Sequence, residues 1–443
     1  MPTPETLHQW DFEHVWHPFT QANEWEASGE PLIIERAEGC TLIDVHGRTY
    51  LDGISSLWTN VHGHQHPVID QAIREQLKRV AHSTMLGQTG VPSIVLAKRL
   101  ADLLLRIEGE QLPLTRTFYS DSGSTAVEVA LKMAFQYQQQ IGATKRCRFA
   151  ALSEAYHGDT IGSVSVGGID LFHQIYRPML FDAVRIPAPD HPVSEEEEAC
   201  LEVARDQFAE HGHEIAALVV EPLVQGAAGM RMHSPHYLRE IIGMARAAGA
   251  VVICDEVAVG FGRTGTMFAM EQVGVRPDIM CLAKGISGGY LPLAATVVND
   301  TIYDAFRAPY DEYKTLFHGH TYTGNALCCA AALANLDVFE TDHVIQHLPQ
   351  RIAALESSLA RLPHQHIGEI RQKGMMVAVV LHHERSSSER VGHQVAMAAR
   401  NHGIVVRPLG DSIILMPPLA MPIEQIEQLG RAVGAAITDV LGD

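Results

Sequence analysis

The chain has 443 residues, 46% of them hydrophobic, and a formal net charge of −19. That length and apolar content can bury a large core, in two domains or one large domain with an appendage, and exclude disorder, and the acidic balance excludes nucleic acid or an anionic membrane as main partner, because both demand a basic surface. Seven cysteines without a CxxC pair, a polar start (MPTPETLHQWDFEH) and no apolar run near the roughly 18 residues of a membrane span point to reduced thiols in a soluble, cytoplasmic protein.

In chain order, the first seventy residues mix aromatics with short strand-like pieces such as TLIDVHGRTYLD. VIDQAIREQLKRV, from Val68, has the apolar spacing of a helix. His62, His64 and His66 alternate in VHGHQHP, and with no cysteine or carboxylate beside them they read as a structural turn, with no metal. Between about 115 and 300, TRTFYS, CRFAAL, IAALVVEP, AVVICDE, DIMCLA and LAATVV read as buried strands. STAVEVALKMAFQYQQQ and SPHYLREIIGMARAAG read as helices between them. The acidic run Glu195 to Glu198 reads as a solvated helix start. This alternation predicts an α/β domain with a largely parallel sheet. After about residue 330, the helix NALCCAAALANLDVFE leads to MMVAVVLHH, GIVVRPLG and SIILMPPLA, strands of a smaller α+β domain.

In open α/β sheets, ligands bind at the carboxyl ends of the strands. After TRTFYS comes a polar turn, Asp121 to Ser124, that opens a helix; its free N–H groups, with hydroxyls from Ser122 or Ser124, would meet a phosphate, or the turn is an ordinary cap. AVVICD ends on Asp255, an acid that burial makes costly unless paired, by a protonated ring nitrogen or a salt bridge. GFGRTG (260–265) fits GxGxxG, but no apolar helix follows it, so a dinucleotide site is rejected. After DIMCLA comes Lys284, one of only seven lysines against twenty-six arginines. In an apolar setting its amine loses charge and becomes a nucleophile toward an aldehyde; the bland reading is a lysine reaching the surface. Together these three strand ends match the protein's side of pyridoxal phosphate chemistry. His157 reads as structural, and Glu221 as a buried anchor or a ligand contact.

SDSGSTAVEVALKMA, AYHGDT, EPLVQGAAGM, DEVAVGFGRTG, AKGISGGYLPLAA and HGHTYTGN, in this order, resemble the class III (omega-type) aminotransferases of pyridoxal phosphate fold type I. VWHPFTQ, DGISSLWTNVHGH and VVRPLGDSIILMPPLA are similar to the branch of that class that serves biotin synthesis. The resemblance implies a large cofactor-binding domain (71–330) and a smaller domain built from the segments 1–70 and 331–443. It implies pyridoxal 5′-phosphate as cofactor and a homodimer with shared sites. Lys284 would join the cofactor and carry the proton, Asp255 would hold the pyridine nitrogen, Gly123 and Ser124 the phosphate, and Tyr156 would cover the ring. His320 and Thr321 would reach the neighbouring subunit's phosphate. Trp58 and Gly319 would line the substrate pocket, Arg407 would bind a carboxylate, and Arg263 would touch polar groups of the substrate. The implied acceptor is 8-amino-7-oxononanoate, and an omega-amino-acid or diamine aminotransferase is the alternative. Phe19 stands in VWHPFTQ where many members carry tyrosine, which leaves the amino donor open between adenosylmethionine and lysine.

Overall fold

A computed structural model describes residues 2–27 and 31–442. Its central sheet has seven strands, in spatial order Leu114–Ser120, Ala294–Asn299, Ile279–Leu282, Val251–Asp255, Ile215–Val220, Arg148–Leu152 and Ala183–Ile186. Only Ala294–Asn299 runs against its neighbours. The other six strands therefore deliver their carboxyl ends to one edge.

Ile215–Val220 and Val251–Asp255 are buried along their whole length, as expected of strands covered on both faces. Side chains alternate across the sheet. Val251 and Ile253 pack toward the helix Gly123–Gln140, while Val252 and Cys254 join the core under the helix Pro235–Ala247. The six expected strands and these two helices are present. Ala183–Ile186 adds a strand that the sequence did not announce, because only Val184 and Ile186 are buried and the piece lies at the sheet edge.

Two four-stranded sheets flank this body. Ile34–Glu38, Thr41–Asp44 and Thr49–Asp52 form one with Ile404–Val405, which pairs parallel with Thr49–Asp52 through Ile404 opposite Leu51. Ile367–Lys373, Met376–Leu381, Ser412–Leu415 and Arg407–Leu409 form the other, in that order. GIVVRPLG, expected as one strand, thus divides at Val406 between two sheets. Pro408 lacks an N–H and sits on the edge strand of its sheet, where none is needed.

The acidic run also departs from expectation. It opens the helix Ser194–His211, but Glu197 is buried, and its carboxylate accepts from the N–H and the hydroxyl of Ser234, each at 2.7 Å. Glu197 therefore ties down the start of Pro235–Ala247 rather than facing water. The alternating histidines have structural neighbours. His62 lies 3.2 Å from the Asn335 carbonyl oxygen, and His64 and His66 each lie 3.6 Å from a carboxylate, of Asp52 and Asp342. Among the described residues no helix is long and apolar enough to cross a membrane.

Candidate active site

The strand ends enclose a cleft of about 440 Å³ bordered by Trp58, Gly123, Ser124, Tyr156, Asp255 and Lys284. One wall is the start of Gly123–Gln140. Ser122 caps it, exchanging hydrogen bonds with Thr125. The N–H groups of Gly123 and Ser124 have no acceptor among the described residues, the usual condition of a helix start that meets an anion. A Cβ at Gly123 would stand 2.5 Å from Val257 Cγ1, so only glycine lets the strand-end turn come this close. At Gly158 (φ +113°) an added Cβ would likewise stand 2.4 Å from the Ser124 Cβ. The Ser124 hydroxyl accepts from the Thr160 N–H at 3.0 Å and lies 2.7 Å from the Thr160 hydroxyl.

Asp255 is 4% exposed at its strand end. The His157 imidazole meets its carboxylate at 2.7 Å through Nδ1, and the Val257 N–H donates to the other oxygen at 3.0 Å. His157 is thus the partner that positions Asp255. Nothing in sequence spacing announces a pairing across ninety-eight positions. Its Nε2 finds no partner among the described residues. Glu221, also buried, accepts from the N–H groups of Tyr156 and Gly226 at 3.0 and 3.1 Å. Burial pushes its carboxyl up to about 7. It is an anchor for the Tyr156 turn and also borders the cleft.

Lys284 follows the strand Ile279–Leu282 with φ +46°, a left-handed conformation uncommon for any residue but glycine. Its Nζ lies 4.8 Å from the centre of the Trp58 ring. Burial lowers the lysine's pKa, and the nearby Arg263 guanidinium lowers it further, against the pull of Asp255 and Glu221. A larger neutral fraction is what a nucleophilic amine needs. Trp58 is itself left-handed (φ +64°), as are Ser55 and Ser56. The loop is held by Asp52, whose carboxylate accepts from the N–H groups of Ile54 and Ser56 at 3.1 and 2.8 Å, and by Ser55, which donates to the Met416 carbonyl at 2.6 Å.

Arg263 corrects one expectation. It is 1% exposed, and its two terminal nitrogens donate to the carbonyls of Asn60 and Pro417, each at 2.8 Å. These two nitrogens clamp the Trp58 loop to the C-terminal segment, Nε has no partner among the described residues, and the side chain does not border the cleft. Burial depresses its pKa to about 10. It acts on the site only as a buried charge behind Lys284.

The remaining expected residues lie further out. The Tyr156 hydroxyl donates to Asp159 at 2.8 Å, an interaction the sequence reading did not single out. Asp159 links the inner cleft to a wider opening of about 1,100 Å³ that Phe19 borders. The Phe19 ring centre is 5.4 Å from that of Phe172, edge to face. On its other side Phe19 shares a third cavity with Arg407. Gly319, His320 and Thr321 do not border the cleft. His320 Nδ1 lies 2.9 Å from the Asp121 carboxylate, and Thr321 is exposed.

These residues fit a flat phosphorylated pyridine. The helix start offers two unspent N–H groups, Asp255 offers a positioned buried carboxylate, and the lysine amine stands across the cleft under an aromatic face. Residues 23–437 match the family described as aminotransferase class-III. The chain is similar to the adenosylmethionine-8-amino-7-oxononanoate aminotransferase of Nitratidesulfovibrio vulgaris, at 54% identity over 98% of this chain and 82% of that one. It is similar to the crystal structure of the enzyme of the same name from Methanocaldococcus jannaschii, at 40% identity, with a TM-score of 0.92 and 99% of each chain covered. An amine transaminase from an uncultivated Pseudomonas species, solved in its PLP-bound form, superposes with a TM-score of 0.89 at 33% identity over 96% of this chain and 99% of that one. Since the family match takes in nearly the whole sequence and the strand ends suit its chemistry, this chain belongs to the class-III aminotransferases and uses pyridoxal 5′-phosphate.

Proposed function

We propose that the enzyme aminates 8-amino-7-oxononanoate to 7,8-diaminononanoate, a step of biotin synthesis. Relatives of that name along nearly the full chain support the reading. The observation that carries it is the Lys284 amine set 4.8 Å from the Trp58 ring in a cleft that leads outward past Phe19 toward Arg407.

In this reading the N–H groups of Gly123 and Ser124 hold the cofactor phosphate, Asp255 faces the pyridine nitrogen, and Tyr156 covers the ring. Bound there, pyridoxal 5′-phosphate supplies an aldehyde and a ring that draws electrons from the substrate's reacting carbon. Lys284 Nζ takes a proton from the donor's carbon and returns one to the acceptor's carbon in the second half. His157 keeps Asp255 oriented. Arg407 takes the acceptor's carboxylate, whose two oxygens suit a guanidinium fork. Trp58 excludes water from the amine. The active unit is a homodimer in which His320 and Thr321 serve the other subunit's phosphate. Tyr310, Tyr313, Phe317 and Tyr322, all exposed around those two residues, suit burial against a second copy. The cysteines, unpaired here, suit the cytoplasm.

The test supplies the acceptor to holoenzyme with adenosylmethionine and with lysine in turn. Amination is expected, with lysine the better donor, because Phe19 lacks the hydroxyl that tyrosine would present. Phe19→Tyr is expected to shift the preference toward adenosylmethionine about fivefold, the worth of one hydrogen bond. An unchanged preference would mean that position 19 does not set the donor. No amination with either donor would sink the reading in favour of an omega-amino-acid or diamine aminotransferase.

A further inference from the structure

Behind the N-terminal arm lies a cavity of about 390 Å³ that the strand-end cleft does not explain. Its floor carries Arg400, from the helix Val391–Asn401, and Arg407, from the strand Arg407–Leu409. Arg390 and His393 stand at its rim, and Phe19 and Glu24 face them from the arm. The only carboxylate among these lining residues, Glu24, is already ion-paired with Arg390.

Arg400 and Arg407 are both half-buried, and neither side chain has a hydrogen bond or ion pair among the described residues. Two guanidiniums without partners in one small cavity are unusual in a chain with 52 acidic side chains against 33 basic ones. Burial and Arg48, itself bound to Asp44, lower the pKa of Arg400 against the pull of Tyr50. Burial, then Arg390 and Arg400, lower the pKa of His393, as a positive cavity would. Among the described residues these two guanidiniums have no counter-ion, so the cavity suits an anion. A carboxylate with several acceptor positions can be shared by two forks.

We propose that Arg400 is a second carboxylate-binding residue, which together with Arg407 draws the acid end of an aliphatic substrate past Phe19 into the cavity behind the arm. The Arg390–Glu24 ion pair then holds the arm over the bound chain. The inference rests on the aminotransferase reading above and extends it by assigning specificity for a chain that ends in a carboxylate.

The experiment compares wild type, Arg400→Gln and Arg400→Lys as holoenzymes. Nonanoate, a straight-chain acid without a reacting group, is titrated by calorimetry, and turnover is followed with the amino-keto acid and with its methyl ester. Arg400→Gln is expected to weaken nonanoate binding and raise KM for the acid about tenfold, the loss of one charge-assisted contact. The effect should fall on KM rather than kcat and on the acid rather than the ester. Arg400→Lys, which keeps the charge without the fork, should fall between, and it also reports if the glutamine variant is merely unfolded. Equal effects on acid and ester, or nonanoate binding unchanged in both variants, would overturn the proposal. Nonanoate binding that depends on Arg400 in an enzyme that does not aminate the acid would instead sink the substrate reading alone.

Discussion

Lys284 shows how one residue combines strain and electrostatics. Its left-handed backbone costs about 1–3 kcal/mol, which the surrounding packing must supply. That conformation carries the side chain off a buried strand end and into the cleft. Neighbouring Glu256 gives a cleaner readout of burial. It is fully buried, accepts from the N–H groups of Ala269 and Met270 at 3.0 and 2.8 Å, and is pushed by burial from 4.5 up to about 8. The fold therefore keeps a proton that the unfolded chain loses above 4.5. The associated stability is complete below that pH and lost as pH rises toward about 8. In urea titrations across this range, Glu256→Gln is expected to remove about one proton's slope, about 1.4 kcal/mol per pH unit. An unaltered slope would show that Glu256 is already ionised in the fold.

At the scale of elements, the contact between the start of Gly123–Gln140 and the turn after Val251–Asp255 sets the cleft's width. Gly123→Ala is expected to weaken retention of pyridoxal 5′-phosphate, because its Cβ would overlap Val257; overpacking of this kind costs about 1–3 kcal/mol. Val257→Ala in the same chain should restore most of it, as read by cofactor absorbance after dialysis. Failure of the second change to rescue would place the defect elsewhere. This part of the fold was legible in the sequence. Long apolar runs bounded by turn residues gave the inner strands, and helical spacing gave the helices. What stayed hidden was governed by distant partners. Ala183–Ile186 shows only weak alternation, GIVVRPLG divides because its halves pair with different sheets, and Glu197 is buried because Ser234 meets it.

For the whole molecule, the subunits' dependence on each other can be tested by exchange. Lys284→Ala is expected to fold and bind cofactor yet lose turnover, by up to about four orders of magnitude. Thr321→Ala is expected to lose activity through poor cofactor retention. Mixed and exchanged, the two should recover activity well above either parent, since one site of each hybrid regains both residues. No recovery would leave each subunit with a self-sufficient site. The inner site was readable because each of its members follows a strand. Arg263 was not, because a guanidinium in a glycine-rich turn looks the same in sequence whether it meets substrate or two carbonyls. His157 was not, because its partner lies on another strand.

The parallel pairing of Ile404–Val405 with Thr49–Asp52 has a consequence for biosynthesis. Folding proceeds largely from the N-terminus as a chain emerges from the ribosome. The early strands here must wait for residues made some 350 positions later. The Trp58 loop waits with them, since Met416 and Pro417 supply two of its anchoring carbonyls. A nascent chain stalled before residue 404 would carry Lys284 without the wall that covers it, exposed until Met416 and Pro417 have been made.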